Sequence, residues 1–124
     1  MQALEFLDLL GTPWDVQNCA EIAHVALDRL GCPVPASALP TSIESGRAAL
    51  AALAGSESPW RRVGEDWRAC EQPGRVVLSA SEDGGPHVGV VVAPRLVLSS
   101  CRLQGCYIAP ASRVAGIQGV YEYR

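Results

Sequence analysis

The sequence has no lysine, few aromatic residues and no long hydrophobic run. All ten basic residues are arginines, and they are spread along the chain against 13 acidic residues, which gives a net charge of −3. Because nucleic-acid binding needs a clustered basic surface, this composition argues against a nucleic acid as the main partner. No apolar run approaches the roughly 20 residues that a membrane helix needs, so no membrane span is expected.

The N-terminal segment also lacks the basic residues that begin a secretory signal peptide. It carries Glu5 and Asp8 inside its apolar stretch, so we expect synthesis in the cytoplasm without a signal peptide. Five cysteines leave one unpaired in any complete disulfide scheme, and no Cys-x-x-Cys or His-x(3–5)-His pair supplies zinc ligands. We therefore expect reduced thiols, no metal site and no cofactor.

The length and the hydrophobic content set the number of domains. A chain of 124 residues with 48% hydrophobic residues can bury one core but not two, which predicts a single domain over residues 1–124. Residues 1–55 show helical periodicity with glycine and proline stops, and they predict three helices: residues 1–10, residues 19–30 and about residues 42–54. Three prolines in residues 32–40 predict an extended connector.

From Arg75 onward, β-branched runs separated by turn residues predict an antiparallel sheet. The runs are residues 76–78, 88–92, 96–98, 107–108 and 120–121. Residues 60–72 have no clear period and are interpreted as irregular or as a short helix. The fold class expected is α+β, with N-terminal helices packed on a C-terminal antiparallel sheet.

The second helix places a cysteine where thiol catalysis needs one. Asn18 is a good N-cap, and Glu21 stands three residues later, where its side chain can reach back to the cap. Cys19 then lies in the first turn, where the helix dipole favours a thiolate. The alternative is that Cys19 packs as a small buried residue. His24 shares a face with Glu21 and Asp28 and is expected on the surface.

His87 is the candidate base. It follows a turn and opens an apolar strand, so its side chain shares a face with Gly89 and Val91. The side chains of Val88, Val90 and Val92 point to the other face. Gly89 leaves room on that face, which we interpret as space for a helix N-terminus and a substrate beside His87. The alternative interpretation is an ordinary histidine at the start of a strand.

Taken in order, these residues resemble the NlpC-type cysteine peptidases of the papain superfamily, and especially the small versions encoded among phage tail genes. The resemblance covers most of the chain. The matching stretches are Gly11-Thr-Pro-Trp14, Asn18-Cys19 opening a helix that ends at Leu30-Gly31, Pro73-Gly74, His87-Val-Gly-Val-Val-Val92, Val97-Leu98 and the terminal Gly119-Val-Tyr-Glu-Tyr-Arg124.

The resemblance implies a papain-like NlpC fold and a thiol protease that hydrolyses peptide bonds in the peptidoglycan of the bacterial cell wall. Cys19 would be the nucleophile and His87 the general base, and Trp14 would line the substrate groove or be a buried structural tryptophan. The partners implied are a peptidoglycan stem peptide and phage tail proteins, with a location on the virion tail. The two alternatives are an inactive tail-assembly protein of the same fold and a secreted effector of a contractile system.

The largest departure from the family concerns the third catalytic residue, which is most often a histidine on the next strand. Family spacing places it twelve residues after His87, at Ser99. A hairpin centred on Ala93 pairs residue 87 with Ser99, whereas a two-residue turn at residues 93–94 pairs it with Ser100. A serine hydroxyl is neutral and supports an imidazolium less than a charged group does, so weak or absent catalysis is one expectation.

Asn18, where the family usually has Asp, is a milder departure because both residues cap helices.

Overall fold

The computed structural model describes residues 2–41, 51–55, 58–80 and 86–123, with side chains from residue 5 onward. The protein is an α+β domain built around a six-stranded antiparallel sheet. Its regular elements are α1 (Cys19–Arg29), β1 (Trp60–Gly64), β2 (Val76–Ala80), β3 (Pro86–Ala93), β4 (Leu96–Cys101), β5 (Gly105–Pro110) and β6 (Ile117–Tyr123). Four 3-10 segments also occur, at Gln2–Leu9, Ala36–Ala38, Trp67–Ala69 and Ala111–Arg113 of the described residues.

The strand order is β1-β6-β2-β3-β4-β5, and every neighbouring pair is antiparallel. Strands β2 to β5 form a meander, in which strands that follow one another along the chain are neighbours in the sheet. The last strand, β6, lies between β2 and β1, so β1 forms one edge of the sheet and β5 the other. Within the described ranges, no helix is long and apolar enough to cross a membrane.

Helix α1 packs against β3 and β4 and supplies the main core. Its buried residues recur at helical spacing and face the valines of β3 that point toward it. The side chains that meet in this core include Ile22, Ala23, Ala26 and Leu27 of the helix and Val88, Val90, Val92 and Leu98 of the sheet. Burial of each larger aliphatic side chain stabilises the fold by about 1.5–3 kcal/mol, which fixes the helix on these two strands.

A second apolar cluster lies on the opposite face of the sheet. Val77, Val91, Val97 and Val120 pack there against residues of the 3-10 segments Trp67–Ala69 and Ala111–Arg113. Val91 therefore points away from α1, whereas Val88, Val90 and Val92 point toward it. The alternation predicted for β3 is confirmed, and it places His87 and Gly89 on the face opposite α1.

The helical half contains less regular helix than its periodicity predicts. The first predicted helix is a 3-10 segment, and the second is confirmed as α1, which is followed by Gly31 at a φ of 76°. Of the third, residues 51–54 are helical and residues 42–50 lie outside the described residues. The connector over residues 32–40 is extended only in part, because it makes a 3-10 turn and buries Leu39.

Strand β1 was not predicted, because residues 60–72 were interpreted as irregular or as a short helix. It pairs only with β6, at the edge of the sheet. Two of its five residues, Arg61 and Arg62, are exposed, so the strand carries charge where a central strand carries valines. An edge strand of this kind has no apolar alternation to reveal it.

Both predicted registers of the β3–β4 hairpin are wrong. Gly89 pairs with Ser99, and Ala93 pairs with Leu96, with an irregularity between Val91 and Ala93. The turn residues are therefore 94 and 95, and Arg95 takes a φ of 62°. The Arg95 N–H donates to Cys70 O at 2.7 Å, which holds this strained residue in place. The pairing shifts because the turn lies one residue later and the strand carries a bulge.

The N-terminus of α1 is capped as predicted, and the cap makes an additional contact. Asn18 Oδ1 accepts from the Glu21 N–H at 3.0 Å, and Glu21 Oε1 accepts from the Asn18 N–H at 3.1 Å. Asn18 Nδ2 also donates to Thr41 O at 3.1 Å. An aspartate could make the cap but could not donate to Thr41, which gives a physical reason for asparagine at this position.

Replacement of Asn18 by alanine should lower the free energy of unfolding by about 1–2 kcal/mol, because both the cap and the link to Thr41 are lost. Asn18→Asp should lose less, since it keeps the cap. Urea unfolding measures both values, with Asp15→Ala, at an exposed site before the helix, as the control. Equal stability of Asn18→Ala and the wild type would contradict this account of the cap.

Candidate functional site

His87 and Ser99 form a hydrogen-bonded pair. Ser99 Oγ lies 2.7 Å from His87 Nε2 and 2.6 Å from Val88 O. A hydroxyl has one proton, and the carbonyl of Val88 can only accept, so Ser99 donates to Val88 and accepts from His87 Nε2–H. This arrangement selects the tautomer with the proton on Nε2 and the lone pair on Nδ1. The pair can therefore present Nδ1 of the imidazole as a base.

The contact between His87 and Ser99 is diagonal across the hairpin. Ser99 stands directly opposite Gly89, and its hydroxyl reaches the residue two positions before that glycine. A Cβ on Gly89 would lie 2.6 Å from Val97 Cγ1 and 3.5 Å from Ser99 Cβ. The space at Gly89 is therefore taken by side chains of β4 and not by the N-terminus of α1, which lies on the other face, so that part of the interpretation is wrong. A substrate contact at Gly89 stays a prediction.

Two further polar residues continue this row on the same face, and the sequence analysis missed both. Ser79 of β2 pairs directly with His87, and Tyr107 of β5 pairs directly with Ser99. Ser79 and Ser99 are 2% and 3% exposed, whereas His87 and Tyr107 are half-buried, so the row is buried only in part. Only the pairing register could have identified these residues, since each belongs to an otherwise ordinary strand.

Cys19 is the first residue of α1 and is 5% exposed, among the core residues on the helix side of the sheet. Just before it, Gln17 O lies 3.4 Å from Ser100 Oγ, near the end of β4. Because β3 and β4 are antiparallel, this is also the end at which β3 begins, with His87 as its second residue. The thiol and the imidazole are thus placed at the same end of the sheet, on its two faces.

Ser100, the other candidate partner of His87, has a different contact. It points toward α1, and its hydroxyl donates to Gln17 O in the turn before Cys19. Of the two serines, Ser99 therefore contacts the histidine, and Ser100 contacts the segment that leads into the helix. This division follows from the alternation of β4.

Trp14 is half-buried in the turn before α1, and the guanidinium of Arg102 lies 4.4 Å from the centre of its ring. Arg102 belongs to the connection between β4 and β5, and the sequence analysis did not select it. Two backbone hydrogen bonds, Gly11 N to Cys106 O at 2.9 Å and Cys106 N to Thr12 O at 2.8 Å, hold the two segments together. The role of Trp14 in substrate binding stays a prediction.

His24 is half-buried rather than on the open surface. Its Nε2 lies 2.6 Å from Leu39 O, in the connector that follows α1. The same stretch of connector is bound by Trp60, whose indole N–H donates to Ala38 O at 2.8 Å. We therefore assign His24 a structural contact between the helix and the connector.

The remaining thiols provide a reference for Cys19. Burial raises the pKa of Cys70 to about 11 and that of Cys106 to about 11, so both stay protonated at neutral pH. Cys32 is exposed, and Cys101 is partly exposed. Within the described part of the chain, no group of three or more histidine, cysteine or acidic residues could hold a metal ion.

No protein-family model matches this chain, and no curated protein matches it. What the site can do is therefore inferred from its own residues.

Alkylation of the cysteines should separate Cys19 from the other thiols. A thiolate stabilised by the helix N-terminus and by an imidazole reacts with iodoacetamide well below the pKa near ~8.5 of a free thiol. We expect the pH midpoint of Cys19 labelling to lie below that of Cys32, and His87→Ala to raise it. Peptide mapping by mass spectrometry measures each site.

Cys70 and Cys106 serve as internal controls in the same samples. A pKa of about 11 for each means that their thiolates form only as the pH rises toward that value, so neither should react at neutral pH. A Cys19 midpoint equal to that of Cys32, and unchanged in His87→Ala, would contradict the proposed coupling of Cys19 and His87.

Proposed function

We propose that this protein is an NlpC-type cysteine peptidase with a papain-like fold that hydrolyses peptide bonds in bacterial peptidoglycan. The observation that carries the proposal is the hydrogen bond between His87 Nε2 and Ser99 Oγ, which is 2.7 Å long. It supports a histidine prepared to act as a base through Nδ1. A capped helix whose first residue is Cys19 supports a nucleophile at the same end of the sheet.

The chemistry proceeds by covalent catalysis. The reaction requires the His87 imidazole to approach the Cys19 thiol around the end of the sheet that the two residues share, because they lie on opposite faces. Nδ1 of His87 then takes the thiol proton, and the thiolate attacks the carbonyl carbon of the scissile amide. The tetrahedral intermediate collapses to a thioester as the imidazolium gives its proton to the leaving amine. A water molecule, deprotonated by the imidazole, then hydrolyses the thioester and returns the thiol. Ser99 holds the imidazole ring by accepting its Nε2 proton throughout.

The substrate class and the location come from the resemblance to the family. The residues that carry it include Trp14, Cys19 and His87, in family order along the chain. The substrate proposed is a peptidoglycan stem peptide, and the proposed context is the tail of a phage or prophage that cuts the host cell wall during entry.

A second candidate function is an inactive tail-assembly protein with the same fold. Three observations favour it: Cys19 is 5% exposed, Cys19 and His87 lie on opposite faces of the sheet, and Ser99 gives the histidine a neutral partner in place of a charged one. A buried thiol is less accessible to a substrate, and a neutral hydroxyl stabilises the imidazolium less than a carboxylate does. Activity on peptidoglycan separates the two candidates.

Incubation with Gram-negative peptidoglycan should release peptide fragments that mass spectrometry can identify. Cys19→Ala should abolish the release, because no other group in the proposed mechanism forms the thioester. Cys32→Ala is the matched control, since it removes an exposed thiol and should leave the release unchanged. If the wild type releases nothing under conditions in which a known peptidase is active, the assembly protein becomes the better assignment.

Substitutions of Ser99 test the role of its hydroxyl. A neutral hydrogen bond contributes about 0.5–1.5 kcal/mol, so Ser99→Ala should lower kcat by about twofold to tenfold. Ser99→Thr keeps the hydroxyl and should stay nearer the wild type. Ser100→Ala should change kcat little, because that hydroxyl contacts Gln17 and not the histidine. A larger loss in Ser100→Ala than in Ser99→Ala would contradict the assigned roles, provided that unfolding curves show both variants to be folded.

A further inference from the structure

Arg102 differs in its surroundings from most other arginines in the described part of the chain. Six arginines form ion pairs with acidic residues, namely Arg29, Arg61, Arg62, Arg68, Arg75 and Arg95. Arg102 is exposed and forms no ion pair with any carboxylate in the part of the chain that the structure describes. Its guanidinium lies over the Trp14 ring, 4.4 Å from the centroid. The aromatic ring positions the cation and leaves its N–H groups able to bind an anion.

This arginine stands beside the proposed site. It follows Ser100 by two residues, and the Ser100 hydroxyl contacts Gln17 in the turn that carries Trp14 and leads to Cys19. Two apolar side chains accompany it at the surface: Val16 is 64% exposed and Leu103 is 84% exposed. A cation and two exposed apolar groups thus lie on the two segments next to the candidate nucleophile.

We propose that Arg102, held on Trp14, binds a carboxylate of the substrate close to the scissile bond. This assignment rests on the proposed function and adds to it a residue that determines specificity for a stem peptide with a free carboxylate. A guanidinium matches a carboxylate with two parallel N–H donors, whereas an amidated carboxyl group offers one oxygen acceptor and no charge. Val16 and Leu103 would contact the apolar part of the same peptide.

Binding can be measured without turnover in the Cys19→Ala background. The probes are the tripeptide L-Ala-γ-D-Glu-diaminopimelate and the same peptide with the α-carboxylate of glutamate amidated. Calorimetry should show tighter binding of the acidic peptide, and Arg102→Gln should weaken that binding by about tenfold while leaving the amidated peptide unchanged. Arg102→Lys should lie between, because it keeps the charge and loses the planar fork.

Arg113→Gln is the matched control, since Arg113 is also exposed and lies in the 3-10 segment Ala111–Arg113. It should bind both peptides as the parent protein does. Equal binding of the two peptides, no binding of either, or an equal loss in Arg113→Gln would overturn the assignment of Arg102.

Hydrolysis of the two peptides by the wild type tests the proposed function separately from the binding measurements. Selective binding that depends on Arg102, without any hydrolysis, supports the carboxylate site and contradicts the peptidase. Hydrolysis of both peptides at equal rates, unchanged in Arg102→Gln, supports the peptidase and overturns the role of Arg102.

Discussion

Side-chain alternation along β3 is the constraint on which both the core and the candidate site depend. Val88, Val90 and Val92 pack against α1, so their neighbours must point to the other face, where Val91 joins the second apolar cluster. A shift of one residue would expose the valines and turn His87 toward the helix. The free energy of burying three valines therefore also fixes the direction of the imidazole.

The candidate site uses the same alternation on the neighbouring strand. Ser99 points to the histidine and Ser100 to the turn before Cys19. Two consecutive serines therefore contact the two parts of the site, one the candidate base and the other the segment before the candidate nucleophile. The Val88 carbonyl completes the arrangement, because it takes the Ser99 proton and leaves that hydroxyl as an acceptor for His87. A neutral bond of this kind orients the ring and sets its tautomer, but it stabilises positive charge on the ring less than a carboxylate would.

Features set by local sequence could be predicted, and features set by distant pairing could not. The cap of α1 and the alternation of β3 follow from residues within one element, and the proximity of Ser99 to His87 follows from family spacing. The hairpin register was missed because it depends on a positive φ at Arg95 and on a bulge, and neither has a sequence signal as strong as glycine. The contact between Arg102 and Trp14 joins segments 88 residues apart, and no local pattern could indicate it.

The central claim is that the imidazole of His87, fixed by Ser99, is coupled to the thiol of Cys19. Nitrogen NMR of the two histidines at neutral pH tests it most directly, with His24 as the internal reference for an imidazole bound to a backbone carbonyl. The account predicts a proton on Nε2 of His87 and a change in its Nδ1 signal when Cys19 is replaced by serine. A proton on Nδ1 in the neutral ring, or an Nδ1 signal of His87 that is unchanged in Cys19→Ser, would contradict it.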